Sequence, residues 1–106
     1  IRGVVTFHAA LSFPTLIADA KNVKVPVLIH HGSADKFVPE KDAKALKSAF
    51  DKAAVKYELV VHEGATHGFT LKSNIGHEEH FGMKYDAKAD LASWASMLSF
   101  LRENLK

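Results

Sequence analysis

Two short motifs each place an ionisable side chain just after an apolar run, and together they resemble the acid and the base of a catalytic triad. The first, PVLIHHGSAD, runs from Pro26 to Asp35, and the second, EGATHGF, runs from Glu63 to Phe69. In a triad a histidine takes the proton of the nucleophile, and a carboxylate fixes the tautomer of that histidine and stabilises the imidazolium. The two motifs therefore nominate Asp35 as the acid and His67 as the base.

The third member of such a triad is not visible in the sequence. The 106 residues contain no G-x-S-x-G or G-x-C-x-G elbow, the turn that presents a nucleophile, and they contain no cysteine. The chain opens on Ile1 and passes at once into an apolar, strand-like pattern. We therefore expect it to have lost what preceded it. The serines outside any elbow, which we do not nominate as nucleophiles, are Ser12, Ser33, Ser73 and Ser93.

Three apolar, β-branched runs predict buried strands at Val4 to Phe7, Val25 to His31 and Tyr57 to His62. The segment from Phe13 to Asn22 is predicted to be a loop with one helical turn. The polar stretch from Thr70 to Asp86, which contains two glycines, is predicted to be a long loop.

Two amphipathic patterns predict helices. Between Glu40 and Ala54 apolar residues recur three to four apart, and Pro39 suits the start of a helix there. Asp86 is placed to cap a second, closing helix. We expect the apolar stripe of that helix to be core, and it consists of Leu91, Trp94, Ala95, Leu98, Leu101 and Leu105.

Strands separated by helical crossovers predict an α/β fold with a parallel sheet. In such sheets ligands gather outside the carboxyl ends of the strands. Asp35 lies four residues after His31, and His67 lies five residues after His62, so both belong to that edge. Asp35 also suits the turn in GSAD, where aspartate accepts hydrogen bonds from nearby backbone. His30 and His31 are expected to be packed, hydrogen-bonded residues and not ligands.

The motifs resemble the C-terminal half of the dienelactone hydrolase family of α/β-hydrolases. The resemblance is strongest in PVLIHHGSADKFVP (residues 26–39) and THGF (66–69), and it extends to the closing YDAKADLASWASMLSFLRENL (85–105). It implies that Asp35 matches the triad acid of the family and His67 the triad base. It also implies a nucleophilic serine or cysteine upstream of this chain, so that residues 1–106 form a partial α/β-hydrolase domain, inactive when isolated.

The resemblance further implies a small-molecule ester or lactone substrate and no metal or organic cofactor. Gly68 and Phe69 match the residues that follow the family histidine. One position departs from the family: the arginine that usually holds the substrate carboxylate, four residues after the histidine, is Leu71 here.

Composition excludes several other classes of protein. The chain has 47% apolar and 25% charged residues, ordinary values for a globular protein. A net charge of +2, from basic residues spread along the chain, does not favour a nucleic-acid partner. The apolar runs are far shorter than the roughly 18 residues of a membrane span, so no membrane is expected. The lack of cysteine leaves the redox compartment undecided, and we expect a cytoplasmic location.

Two alternatives to a hydrolase remain at this stage. The first strand would have an unpaired edge, and the predicted core is small. The sequence therefore also fits a non-catalytic half-domain that self-associates or pairs with a complementing N-terminal half. The HEEH stretch suggests a weaker third idea, a metal site at His77, Glu78 and His80, although the histidines are three apart and the zinc signature needs four.

Overall fold

A three-stranded parallel sheet forms the centre of the protein, and its strands lie side by side in chain order. The computed structural model describes residues 1–11, 14–75 and 82–106. The predicted α/β fold with a parallel sheet is confirmed, although the second strand begins two residues later than expected and includes Gly32. The strands are β1 (Val4–Phe7), β2 (Val27–Gly32) and β3 (Tyr57–His62). The prediction that all three are buried is correct only for β2, the central strand, because β1 and β3 are partly exposed.

Helices cover the sheet and connect its strands, which is what parallel pairing requires. Asp86 caps the last helix as predicted, since its Oδ1 accepts a hydrogen bond from the Ala89 backbone N–H at 3.0 Å. The loop predicted to follow Thr70 contains one short turn of 3-10 helix among its described residues. The helices are α1 (Pro14–Ala18), α2 (Glu40–Lys52) and α3 (Ala87–Asn104), and the 3-10 turns are Ala20–Asn22 and Lys72–Asn74.

The main core lies between β2 and α2. Val27 and Ile29 alternate along β2 and point to one face, where they meet Leu46 and Phe50 of α2. All four are at least 93% buried. The apolar face of α2 therefore packs against the sheet, as the sequence predicts, and it covers the central strand β2.

The opposite face is covered by α3, and here the prediction of a buried apolar stripe is wrong. The helix contacts β2, and its fully or nearly buried side chains are the small residues Ala89 and Ser93. Small side chains let the helix approach the sheet closely, which turns the larger apolar residues outward. The exposed members of the predicted stripe are Leu91 (72% exposed), Trp94 (56%), Leu98 (37%), Leu105 (57%) and Ala95.

Within the described residues, no helix has both the length and the apolar character that crossing a membrane requires.

Candidate functional site

Three titratable residues meet at the carboxyl edge of the sheet, one from each strand. His8 follows β1, Asp35 lies in the loop after β2, and His67 lies in the loop after β3. Because the strands are parallel, these three loops share one edge.

The structure brings Asp35 and His67 into direct contact. His67 Nδ1 lies 2.9 Å from Asp35 Oδ2, and the Asp35 side chain is fully buried while that of His67 is 29% exposed. The other carboxylate oxygen accepts hydrogen bonds from the backbone N–H groups of Phe37 at 2.8 Å and Val38 at 2.9 Å. Asp35 therefore holds its own turn with one oxygen and the histidine with the other.

This contact depends on a close approach between the loops after β2 and β3. Gly32 lies against Ala65, and a Cβ atom on Gly32 would overlap the Ala65 carbonyl group. The same carbonyl accepts a hydrogen bond from the Ala34 backbone N–H at 2.9 Å. The lack of a side chain at position 32 therefore allows the loop that carries His67 to pack against the loop that carries Asp35.

A second glycine shapes the loop immediately after His67. Gly68 has φ +72°, a backbone conformation that glycine adopts without penalty. Its carbonyl accepts a hydrogen bond from the buried Asn74 amide at 2.9 Å, and a Cβ atom on Gly68 would lie 2.6 Å from Asn74 Nδ2. The backbone conformation at Gly68 and the nearby Asn74 side chain therefore both favour a glycine at this position of the THGF motif.

Two residues of the site were not nominated from the sequence, His8 and Phe37. The ring centroid of Phe37 lies 5.3 Å from that of His67, and Phe37 is 59% exposed. The ring centroid of His8 lies 5.5 Å from that of His67. The signal for His8 was its place in FHAAL, directly after a predicted strand, which is the same kind of position as the two nominated motifs.

The paired histidines on β2 are packed residues, as predicted, but the expected hydrogen bond is found only for His30, since His31 Nδ1 is buried without a partner among the described residues. His30 is fully buried, its Nδ1 lies 2.9 Å from His62 Nε2, and its ring stacks on Phe7 with centroids 5.3 Å apart. Burial and the neighbouring His62 lower the pKa of His30 to about 4. His31 is 4% exposed, and burial lowers its pKa although Asp35 acts in the opposite direction.

The geometry leaves one nitrogen of His67 available for chemistry. Nδ1 faces a buried carboxylate, so Nε2 is the nitrogen that can take or give a proton. The adjacent His8 is held toward its neutral form, because burial first and His67 second lower the pKa of His8.

Two of the serines that are not nominated as nucleophiles have local hydrogen bonds. The Ser33 hydroxyl accepts from the Gly64 backbone N–H at 2.7 Å, and the Ser93 hydroxyl donates to the Asp90 carbonyl at 3.0 Å, so both serve local structure. His77, Glu78 and His80 lie outside the described residues. Across residues 1–11, 14–75 and 82–106, no three His, Cys, Asp or Glu side chains are grouped to hold a metal ion.

The three-stranded parallel sheet with its flanking helices matches part of the α/β-hydrolase fold of solved dienelactone hydrolase-like proteins. The profile of the dienelactone hydrolase family matches residues 1–105, and the chain belongs to that family. Both the fold class and the family resemblance predicted from the sequence are therefore confirmed.

Three relatives illustrate the similarity. An uncharacterized protein of Caenorhabditis elegans is 32% identical over 97% of the chain. A dienelactone hydrolase-like promiscuous phosphotriesterase from metagenomic libraries is 28% identical over 97% of the chain, with a TM-score of 0.82. Esterase 2 of Thermogutta terrifontis is 34% identical over 74% of the chain, with a TM-score of 0.56.

The chain is shorter than each of these proteins. It spans 65% of the length of the Caenorhabditis elegans protein, 42% of the phosphotriesterase and 26% of the esterase. The similarity therefore concerns one part of each relative.

Proposed function

We propose that this chain supplies the acid and the base of a carboxylic-ester hydrolase and forms its C-terminal part. In this proposal His67 is the general base, Asp35 orients it, and a serine or cysteine upstream of Ile1 is the nucleophile. The observation that carries the proposal is the 2.9 Å contact between His67 Nδ1 and a fully buried Asp35 oxygen at the carboxyl edge of a parallel sheet.

The proposed reaction proceeds in two steps. First, His67 Nε2 takes the proton of the nucleophile as it attacks the ester carbonyl carbon, and then gives that proton to the departing alcohol, leaving an acyl-enzyme. Second, His67 takes a proton from water as the water oxygen attacks the acyl carbon, and it then gives that proton to the serine or cysteine as the bond to the acyl group breaks and the carboxylic acid is released. Asp35 stabilises the imidazolium each time it forms, because its carboxylate faces Nδ1 without competing solvent.

The names of two relatives support a small-molecule substrate. One is an esterase that has been solved phosphorylated by paraoxon, and another is a promiscuous phosphotriesterase. We infer an ester or lactone as the substrate class of the complete protein, and paraoxon is the natural probe for its nucleophile.

The experiment uses the complete reading frame that encodes this chain. We expect the purified product to hydrolyse p-nitrophenyl acetate and to gain one diethylphosphoryl group from paraoxon, located by peptide mass spectrometry on a serine or cysteine upstream of Ile1. His67→Gln and Asp35→Asn should each lower kcat/KM by at least about a hundredfold, the usual contribution of a general base. Asp19→Asn, at an exposed aspartate beside a 3-10 turn, is the matched control and should change nothing.

Two results would contradict the proposal. One is a reading frame whose upstream part contains no glycine-flanked serine or cysteine. The other is full esterase activity in both His67→Gln and Asp35→Asn.

A second candidate function is a non-catalytic half-domain that self-associates. Two observations favour it: among the described residues β1 pairs only with β2, and the α3 side chains Leu91 and Trp94 are exposed. An open strand edge and an apolar helix face both favour contact with another chain, either a second copy or a complementing N-terminal half.

Sedimentation velocity of the 106-residue protein over a wide concentration range tests this candidate. Self-association predicts a dimer that weakens when Trp94→Lys places a charge on the exposed face of α3. A monomer at every concentration eliminates the second copy, and mixing with a separately expressed N-terminal half then tests the complementing partner.

A further inference from the structure

The backbone of His8 is in an unusual conformation at the edge of the candidate site. His8 has φ +43°, the left-handed region that side-chain-bearing residues rarely adopt. Its backbone N–H still donates to the His30 carbonyl at 2.9 Å, so the residue continues the ladder of β1 and β2. Residues held in this region concentrate at functional sites, where the surrounding structure maintains the strain.

The ring of His8 is held by contacts to the loop that carries His67. His8 Nε2 lies 2.9 Å from the Thr70 hydroxyl. The ring also meets Phe69 edge-on, with centroids 5.3 Å apart and an interplanar angle of 81°. Thr70 and Phe69 lie within three residues of His67, so the contacts of His8 connect β1 to the loop that carries His67.

The remaining contact of His8 is with His67 itself. The two ring centroids are 5.5 Å apart with an interplanar angle of 65°. The hydrogen bond to Asp35 holds Nδ1 of His67, and the side chains packed against the rest of the ring also limit its χ1 and χ2 torsions. Phe37, a second aromatic neighbour of His67 among the described residues, is 59% exposed. His8 is a partly buried neighbour of His67 whose own ring lies within hydrogen-bond distance of Thr70.

We propose that His8 is a positioning residue for His67. Its ring, anchored on Thr70, fixes the plane of the His67 imidazole so that Nδ1 stays on Asp35 and Nε2 keeps one direction. This inference rests on the proposed role of His67 as general base. A neutral His8 suits the task, because it adds no positive charge beside an imidazolium at His67, and its pKa is shifted in that direction by burial.

The test is an NMR measurement of the ring nitrogens of His67 in the uniformly ¹⁵N-labelled 106-residue protein. At a pH high enough to keep the ring neutral, wild type should show one tautomer with the proton on Nδ1, facing Asp35. His8→Gly removes the ring and suits the left-handed backbone, so loss of folding is not its expected effect. Thr70→Val removes the anchor and leaves the His8 ring in place. In both variants we expect the two ¹⁵N signals of His67 to move toward each other as the tautomers mix.

Thr6→Val is the matched control for Thr70→Val. The Thr6 hydroxyl is buried and has no hydrogen-bond partner in residues 1–11, 14–75 and 82–106, so removing it should leave the His67 signals unchanged. Unchanged His67 signals in both His8→Gly and Thr70→Val, with well-dispersed amide spectra, would overturn the positioning role. If either variant is unfolded, the other decides.

The same variants in the complete protein separate this inference from the proposed function. A positioning role predicts that His8→Gly lowers kcat by about ten- to a hundredfold with little change in KM, the scale of a small misplacement of a catalytic group. If wild type lacks esterase activity but the His67 signals respond to His8, the proposed function fails and the positioning contact stands. If wild type is active and neither kcat nor the signals respond, only the positioning role fails.

Discussion

Acidification from pH 7 to pH 5 is expected to destabilise this protein through His30. This side chain is fully buried, stacks on Phe7 and lies 2.9 Å from His62 Nε2, and nothing described pairs with its own Nε2. Burial, and then the nearby His62, lower its pKa from 6.5 to about 4. The folded protein therefore holds His30 neutral where the unfolded chain would protonate it.

The sign and size of the effect follow from proton linkage. Between the unfolded pKa of 6.5 and the folded pKa of about 4 the unfolded state binds more protons, so the free energy of unfolding falls as the pH falls. One pKa unit corresponds to about 1.4 kcal/mol, which gives a total of about 3 kcal/mol for His30 once the pH is below both values. Between pH 7 and pH 5 the expected loss is about 2 kcal/mol.

Urea unfolding followed by far-UV circular dichroism at several pH values measures this loss. His30→Gln removes the titrating group and keeps an amide that can bond to His62. Its stability should vary less between pH 7 and pH 5 than that of wild type, by about 2 kcal/mol. Its lower stability at pH 7, from the lost ring packing, does not enter this comparison. Glu58→Gln, at an exposed position on β3, is the control and should keep the wild-type pH dependence.

The reasoning is refuted if His30→Gln and wild type lose the same stability on acidification. It is also refuted if wild type becomes more stable as the pH falls from 7 to 5, since that sign requires a raised histidine pKa.

Three further predictions concern the loops and α3. Gly32→Ala places a methyl group against the Ala65 carbonyl and should lower the free energy of unfolding in urea by about 1–3 kcal/mol. The His67 Nδ1–H signal should shift as the contact with Asp35 loosens, and unchanged stability would mean that the two loops can separate freely. Asp86→Ala removes the cap of α3 and should cost about 1 kcal/mol, with faster amide exchange at Ala89, and normal protection there would contradict the cap. Leu91→Lys should change stability by less than about 0.5 kcal/mol, because the side chain is 72% exposed, and a large loss would instead place it in a core.

Much of this fold was predictable because its signals are local. The strand at Tyr57–His62 and the start of α2 at Glu40 are observed at the predicted positions. Asp86 caps the last helix through a contact three residues along the chain. A β-branched run, an apolar spacing of three to four residues and a capping aspartate each act within a few residues, so their outcome depends little on the rest of the molecule.

Burial of α3 was not predictable from the same signals. Leu91 and Trp94 have the spacing of a buried helix face, and both are exposed. Ala89 and Ser93 lie at the sheet instead, because close packing against β2 accommodates small side chains. Which face of a helix is buried depends on what lies opposite it, and that is a property of the tertiary structure.

The candidate site also has one part that the sequence predicts and one part that only the tertiary structure shows. The sequence by itself determined that Asp35 and His67 follow strands of a parallel sheet, because apolar runs and the glycines after them mark strand ends. Only the tertiary structure decided that these side chains, 32 residues apart, meet at 2.9 Å, since that contact requires the loops to touch at Gly32 and Ala65. The tertiary structure alone also brings His8 into contact with Thr70, 62 residues away. Strand pairing and loop packing produce a contact over that separation, and no periodic pattern in the sequence indicates it.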